Sequence, residues 1–153
     1  MGIKAHFKGN IDAAFNRFLA AIDDEIIDRL CRIGEEVVTY AKQIPPERGF
    51  TDRTGNLRSS IGYVVCKDGQ PINLAFEAVK GGHEGVHTGQ RLAMEIAGKH
   101  PEGYTLIVVA GMNYAAYVES KGRDVLTSAE TEAGKLLEKH MADMVANIQD
   151  AFR

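Results

Sequence analysis

The chain has 153 residues, of which 44% are hydrophobic and 25% charged, and its formal net charge at pH 7 is −3. These proportions are those of an ordinary folded domain, so they exclude the collagen-like, low-complexity and disordered classes of protein. The small negative charge excludes the broad basic surface of DNA-binding proteins, so no sequence-specific nucleic-acid partner is expected. The longest nearly apolar run, 106–112, is far shorter than the roughly 18 residues of a membrane span, so no membrane partner is expected.

A long amphipathic helix is predicted for the first third of the chain. Apolar residues recur there at every third or fourth position, which places them on one stripe of an α-helix. The stripe consists of Ile11, Phe15, Phe18, Ile22, Ile26, Leu30, Ile33, Val37 and Tyr40. Asn10 is a suitable N-cap, and Pro45 and Pro46 end the helix because the residue before a proline disfavours the α conformation. The predicted helix covers 11–43, and we expect residues 1–9 before it to be flexible.

The length of this helix predicts self-association. At 1.5 Å per residue it is roughly 50 Å long, whereas a compact chain of this size is about 40 Å across. One end should therefore overhang the core, unless the helix kinks, for instance near Gly34. The apolar stripe on the overhang would need a second subunit to cover it.

The middle of the chain predicts a small antiparallel sheet. Residues 44–56 have the composition of an exposed loop. A strand over Ile61–Cys66 leads into Asp68-Gly69, a hairpin-turn signal, and Ile72–Phe76 returns as its partner. Tyr104–Ala110 is rich in β-branched residues and predicts a further, buried strand.

The remaining segments predict a polar loop and a closing helix. Residues 80–103 are polar and rich in glycine, so we expect an inserted loop with at most a short helix over 91–97. The residues Thr127-Ser128-Ala129-Glu130 form a capping box that starts the last helix. Its predicted apolar stripe consists of Ala133, Leu137, Met141, Met144, Ile148 and Phe152, widened by Leu136 and Val145. The whole chain, 1–153, is thus predicted to be a single α+β domain.

One catalytic motif occurs within the predicted polar loop. His83, Glu84 and His87 match HExxH, in which two histidines one helical turn apart bind zinc and the glutamate acts as a general base. Four glycines within 81–89 argue against a helix, because each costs a helix interior about 1 kcal/mol relative to alanine. We therefore expect incidental histidines on a loop. A zinc-dependent peptidase that uses these three residues is the alternative function.

Other patterns of catalytic or ligand-binding residues are lacking. His100 and Glu95 are candidates for a third zinc ligand, but neither fits a known spacing. Cys31 and Cys66 lie in different segments and form no metal-binding pattern, which is typical of free thiols in a reducing compartment. We expect no catalytic residue, no metal ligand and no cofactor.

Two short segments stand out from this background. Residues 54–61 read Thr-Gly-Asn-Leu-Arg-Ser-Ser-Ile, in which Gly55 can form a turn and Leu57 with Ile61 can anchor one helical turn on the core. Residues 114–119 read Tyr-Ala-Ala-Tyr-Val-Glu and directly follow the buried strand. Together with the long first helix, the hairpin and the last helix, this order resembles the neck, or tail-component, family of long-tailed bacteriophages. The resemblance covers about residues 10–150.

The resemblance implies a structural role without catalysis. Members of that family join or complete the junction between the DNA-filled head and the tail. We therefore expect a homo-oligomer, in the form of a ring, that contacts other neck or tail proteins. It would be assembled in the bacterial cytoplasm and end up in the virion.

Residues for partner contacts are expected on the loop before the first motif and around both motifs. Arginine and exposed aromatic side chains on a proline-stiffened loop are the types that dominate interface energetics. The predicted interface residues are Pro46, Arg48, Phe50, Arg53, Arg58, Tyr114, Tyr117 and Glu119.

Overall fold

The structure is a computed structural model that describes residues 10–112 and 115–151. The elements in chain order are α1 (Asn10–Lys42), α2 (Asn56–Ser59), β1 (Ile61–Lys67), β2 (Gln70–Phe76), α3 (His83–Ala97), β3 (Tyr104–Ala110), α4 (Ala115–Ser120) and α5 (Thr127–Ala151). The predicted α+β class is confirmed. The flexibility predicted for residues 1–9 concerns a segment outside the described residues.

The three strands form one antiparallel sheet in the order β2-β1-β3. The hairpin between β1 and β2 was predicted from Asp68-Gly69, and both residues have positive φ angles, 51° and 77°, as a tight two-residue hairpin turn requires. Central strand β1 is buried from Ile61 to Cys66 because helices cover both of its faces. Its alternate residues face α1 on one side and α3 on the other.

Helix α1 covers one face of the sheet with its C-terminal half. Ile33, Val37 and Ala41 are buried and share a core cluster with Ile61 of β1. The helix runs through Gly34 without interruption. A Cβ atom at Gly34 would lie 2.6 Å from the ring of Tyr63, so the glycine makes room for this ring against the helix.

The N-terminal half of α1 extends beyond the sheet, as predicted. No residue of 13–32 with a described side chain is buried. The end of the sheet is marked by Asp23, which accepts hydrogen bonds from Lys67, at 2.6 Å, and from the hydroxyl of Tyr104. Helix α5 also packs along α1. The two helices run antiparallel, since Glu25 accepts from Asn147 at 3.3 Å, whereas Arg29, one turn later in α1, contacts His140, which is earlier in α5, at 3.2 Å.

The prediction of a polar loop over 80–103 is wrong, because α3 forms a helix from His83 to Ala97. Gly85, Gly89, Ala93 and Ala97 recur every fourth residue and are all buried. A Cβ atom would lie 2.0 Å from the carbonyl oxygen of Asn56 at Gly85 and 2.5 Å from that of Ser60 at Gly89. The small-residue stripe thus lets α3 pack directly against α2 and the sheet, and this packing offsets the low helix propensity of glycine.

The stripe predicted for α5 is only partly covered. Met144 is buried, whereas Leu137, Met141 and Val145 are each 45–48% exposed. The physical reason is that α5 packs on α1 rather than on the sheet, so part of its apolar face has no neighbour among the residues that the structure describes. Phe152, the last residue of the predicted stripe, lies outside the described residues.

Alanine substitutions at two helical glycines test the account of α3. Gly85→Ala should destabilise the protein by about 2 kcal/mol, since the added methyl group meets the backbone of Asn56. Gly134→Ala in α5 is the matched control. No atom lies within 4 Å of its added Cβ, so it should stabilise the protein by about 0.5–1 kcal/mol through helix propensity. Urea unfolding measures both, and equal stabilisation by the two substitutions would contradict the packing of α3.

Candidate functional site

The first sequence motif folds around a buried carboxylate. Asp52 is 4% exposed and accepts hydrogen bonds from the N–H groups of Gly55, at 3.0 Å, and Arg58, at 2.9 Å. Gly55 has a φ of 81°, and a Cβ atom there would lie 1.9 Å from the carbonyl oxygen of Val79. Leu57, 2% exposed, anchors the turn in the core. The turn at Gly55 and the anchor at Leu57 were both predicted, but the role of Asp52 was not.

The same motif binds the segment between β2 and α3 and the start of α3. The N–H of Val79 donates to the hydroxyl oxygen of Ser59 at 2.6 Å, and the N–H of Gly85 donates to the side-chain oxygen of Asn56 at 3.1 Å. The hydroxyl of Ser60 donates to the carbonyl of Leu57 at 2.7 Å. These polar side chains form their hydrogen bonds within the fold. The first motif is therefore a structural hub, that is, a turn to which several segments of the chain are fixed.

Phe50 and Arg58 also belong to this hub, and the burial of Phe50 contradicts its prediction as an exposed aromatic side chain at a partner interface. Phe50 is 6% exposed and lies in the core cluster of α1. The guanidinium of Arg58 lies 4.6 Å from the centre of its ring and donates to the carbonyls of Lys42, at 3.2 Å, and Ile44, at 3.4 Å. Arg58 therefore caps the C-terminal end of α1, where a cation is favoured by the helix dipole.

Of the other predicted interface residues, three lie on the surface of the loop. Pro46, Arg48 and Arg53 are exposed. Tyr114 lies outside the described residues, and so does the side chain of Tyr117.

This loop is held against the segment that follows the second motif. Arg123 donates to the carbonyl of Pro46 at 3.2 Å, and the N–H of Asp124 donates to the carbonyl of Arg48 at 3.0 Å. The structure thus brings together at one corner the loop before the first motif and the segment after the second, although they are about 75 residues apart in the chain. We call this surface, formed by 45–53 and 121–124, the motif corner.

Glu119 was predicted at a partner interface, but its carboxylate caps α5. The N–H groups of Val125, Leu126 and Thr127 all donate to its Oε1 atom, and the hydroxyl of Thr127 donates to Oε2. Partial burial raises the pKa of Glu119, but the hydrogen bonds from the Thr127 hydroxyl and from the three N–H groups outweigh it. The pKa therefore lies below its ordinary value.

The predicted capping box does not form, although α5 begins at Thr127 as expected. The N–H of Glu130 donates to the carbonyl of Leu126 at 2.8 Å rather than to the hydroxyl of Thr127. Asp124 accepts from both the N–H and the hydroxyl of Ser128. The carboxylates of Glu119 and Asp124, which precede α5, thus lie at the positive end of its dipole. They accept hydrogen bonds from N–H groups at the start of the helix.

The HExxH residues lie in the first turn of α3. His83, Glu84 and His87 are exposed, and the histidines are one helical turn apart. Glu95 is eight residues further along the helix, about 12 Å from His87, and His100 follows the end of the helix. Among the described residues, no group of three or more His, Cys, Asp or Glu side chains could hold a metal ion.

An apolar groove of about 500 Å³ lies between α1, β3 and α5. It is lined mainly by Leu30, Ile33 and Val37 of α1, Leu106 and Val108 of β3, and Leu137 of α5. Tyr104 and Leu137 at its rim are 38% and 45% exposed, so the groove opens to solvent. A packed core leaves no gap of this size, so the described residues leave an opening between the two helices and the sheet.

Beside this groove, the outer edge of β3 is open. Within the described part of the chain, β3 pairs only with β1. The other edge strand, β2, carries Pro71 and a register irregularity opposite Val65 and Cys66, two features that discourage further pairing. Tyr104–Ala110 has no proline, no charge and no register irregularity against β1. It could accept another strand.

Comparisons with known proteins add no family assignment. No family model matches the chain, and it has no significant match among curated proteins or solved structures. No helix in the described ranges is both long and apolar enough to cross a membrane.

The cap formed by Glu119 predicts a pH-dependent contribution to stability. Because its folded-state pKa lies below the ordinary value of 4.5, the stabilisation is complete above that pH and is lost as the pH falls further and the carboxylate becomes protonated. At pH 7, Glu119→Gln should lower the free energy of unfolding by about 1 kcal/mol. Urea unfolding at pH 7 and at pH 3 tests this, and the difference between variant and wild type should shrink at the lower pH.

The control is Glu138→Gln, which removes an exposed carboxylate from within α5, away from its start. It should change the free energy of unfolding by less than about 0.5 kcal/mol at either pH. A Glu119→Gln effect of the same size at both pH values would show that the carboxylate is not what stabilises the start of α5.

Proposed function

We propose that this chain is a non-enzymatic structural protein of a tailed bacteriophage, which forms a homo-oligomer at the head–tail junction and helps to join or complete the tail. The order of the two motifs along the chain supports the family. The subunit role is supported by the apolar surface that the described residues leave uncovered. The product of assembly would be a ring that becomes part of the virion after assembly in the bacterial cytoplasm.

The uncovered apolar surface is the observation that carries this proposal. The helix pair α1–α5 exposes Leu19, Met141 and Val145, each to 48%. The groove and the open edge of β3 adjoin the same pair of helices. Large exposed apolar surface on a soluble protein marks contact sites, because its burial against another chain is favourable. In an assembly, other subunits would cover the exposed side chains of the helix pair, the groove and the edge of β3.

The motif corner is the proposed contact for a second neck or tail protein. Arg48 and Arg53 project from a loop whose backbone is fixed by Arg123 and Asp124. A fixed loop loses little conformational entropy on binding, and arginine is enriched at interface hot spots. We therefore assign the docking role to the exposed Arg48 and Arg53, and not to the buried Phe50.

The alternative function is a zinc-dependent peptidase. One observation favours it, namely that α3 is a helix and so holds His83 and His87 one turn apart with Glu84 between them. Elemental analysis of the purified protein separates the two functions. One zinc per chain, with a peptidase activity that Glu84→Gln removes, would support the peptidase and overturn the structural role.

Loss of the two exposed arginines should block assembly without affecting the fold. We expect Arg48→Ala with Arg53→Ala to leave the free energy of unfolding within about 0.5 kcal/mol of wild type, since both side chains are exposed. A phage that encodes the variant should yield filled heads and separate tails under the electron microscope. Phe50 is left unchanged because its removal would disturb the core.

The matched control removes two exposed cations from the α3 side of the sheet, Arg91→Ala with Lys99→Ala. This control should give normal infectious particles. Normal particles from the Arg48 and Arg53 variant would show that the motif corner is not the docking surface. A normal yield after deletion of the whole gene would contradict the proposed function itself.

A further inference from the structure

Cationic side chains from separate segments of the chain meet at the motif corner. The exposed side chains of Arg48 and Arg53 come from its loop. Arg123, which is also exposed, donates from Nη1 to two backbone carbonyls of that loop, at 3.2 and 3.4 Å. Lys80 reaches the loop from the segment before α3 and donates to the backbone carbonyl of Asp52 at 3.2 Å. Four exposed cations therefore lie at or beside this corner.

Most carboxylates of the same region are engaged within the fold. Both oxygens of Asp52 accept from backbone N–H groups, and this residue is 4% exposed. Both oxygens of Asp124 accept from Ser128, and those of Glu119 accept at the start of α5. Within the described motif corner, Glu47 is the carboxylate that stays exposed. The corner thus presents mainly positive charge and hydrogen-bond donors, because arginine and lysine side chains have no acceptor.

The two loop arginines have no partner within the described part of the subunit. Neither Arg48 nor Arg53 forms a side-chain hydrogen bond or an ion pair with a described residue. The backbone of Arg48 is fixed on both sides, since its N–H donates to the carbonyl of Pro45 and its carbonyl accepts from Asp124, each at 3.0 Å. A guanidinium group binds a carboxylate through two parallel hydrogen bonds. The matching groups on a partner are therefore carboxylates.

A protein surface fits the motif corner better than a nucleic acid does. Phosphate groups also pair with arginine, but binding to a phosphate backbone needs a broad basic surface, and this chain has a formal net charge of −3. The exposed carboxylate of Glu47 would repel a phosphate backbone. A protein can place a lysine or an arginine opposite that carboxylate and its own acidic residues opposite the arginines.

We propose that the motif corner binds an acidic segment of a second virion protein, whose aspartate or glutamate side chains pair with Arg48 and Arg53. This inference rests on the proposed function, in which the corner contacts another neck or tail protein, and it specifies the chemistry of that protein's surface. The acidic segment carries at least two carboxylates, because the loop offers two guanidinium groups that have no described partner in their own subunit.

Two double variants, each encoded by the phage, test the role of charge. Arg48→Gln with Arg53→Gln removes both charges, whereas Arg48→Glu with Arg53→Glu reverses them. The yield of infectious particles should fall about tenfold with the glutamine pair and about a hundredfold with the glutamate pair, because reversed charges repel the carboxylates of the partner. Both variants should keep the urea unfolding midpoint of the wild type, since the two side chains are exposed.

The matched control is Arg91→Glu with Lys99→Glu, which reverses two exposed cations on the α3 side of the sheet. This control should leave the particle yield unchanged.

Second-site suppressors of the glutamate pair identify the occupant of the corner. Suppressors should replace an aspartate or a glutamate of another virion protein by lysine or arginine, which restores attraction to the reversed corner. The same suppressor beside the wild-type arginines should itself lower the yield, since it sets positive charge against positive charge. It should not rescue a deletion of the whole gene.

The outcomes separate this proposal from the proposed function. Equal yields from the glutamine and glutamate pairs would overturn the proposal, because charge would then not decide the contact. Suppressors at acidic residues of this chain would overturn it in favour of a second copy, and the lack of any suppressor at an acidic residue would overturn it in favour of a nucleic acid. In each of these cases the proposed function stands if deletion of the gene still abolishes infectious particles. A normal yield after deletion would overturn the proposed function itself.

Discussion

The structure depends on covering a three-stranded sheet on both faces with few helices. Strand β1 is buried along six of its seven residues, which requires a helix on each side. On one side α3 comes close enough only because its contact stripe is glycine and alanine. On the other side the second half of α1 covers β1, and α5 packs on α1 instead of on β3. The open groove is the direct result of this arrangement.

The residues of the first motif serve the fold before they serve any partner. Asp52, Gly55 and Leu57 fix a turn that ends the path from α1 to the sheet, and Arg58 closes the C-terminal end of α1 over Phe50. The second motif also stabilises the fold, because Glu119 caps the start of α5. These polar side chains stabilise the fold because they form hydrogen bonds with backbone groups that would otherwise be buried without partners. The side chains of Arg48 and Arg53 beside the first motif are exposed.

Local signals predicted most of the fold correctly. The bounds of β3 agree with the prediction at both ends, and those of α1 to within one residue, because periodicity, turn residues and prolines act over short distances. Helix α3 was missed because four glycines were counted as helix breakers, whereas the four-residue spacing of Gly85, Gly89, Ala93 and Ala97 was the signal for close packing. That spacing could have been read from the sequence.

The candidate site was less predictable because it depends on contacts between distant segments. Phe50 was expected to be exposed from the composition of its loop, but the turn after Pro45 folds this loop back over the core. The groove depends on the distance between α5 and β3, which no local pattern encodes.

The central claim is that this chain is a subunit whose apolar surfaces are covered by further copies. Light scattering of the purified wild-type protein across a wide concentration range tests this claim most directly. The account predicts a discrete mass that is a multiple of the single-chain mass of 16.7 kDa. A mass of one chain at every concentration would contradict it.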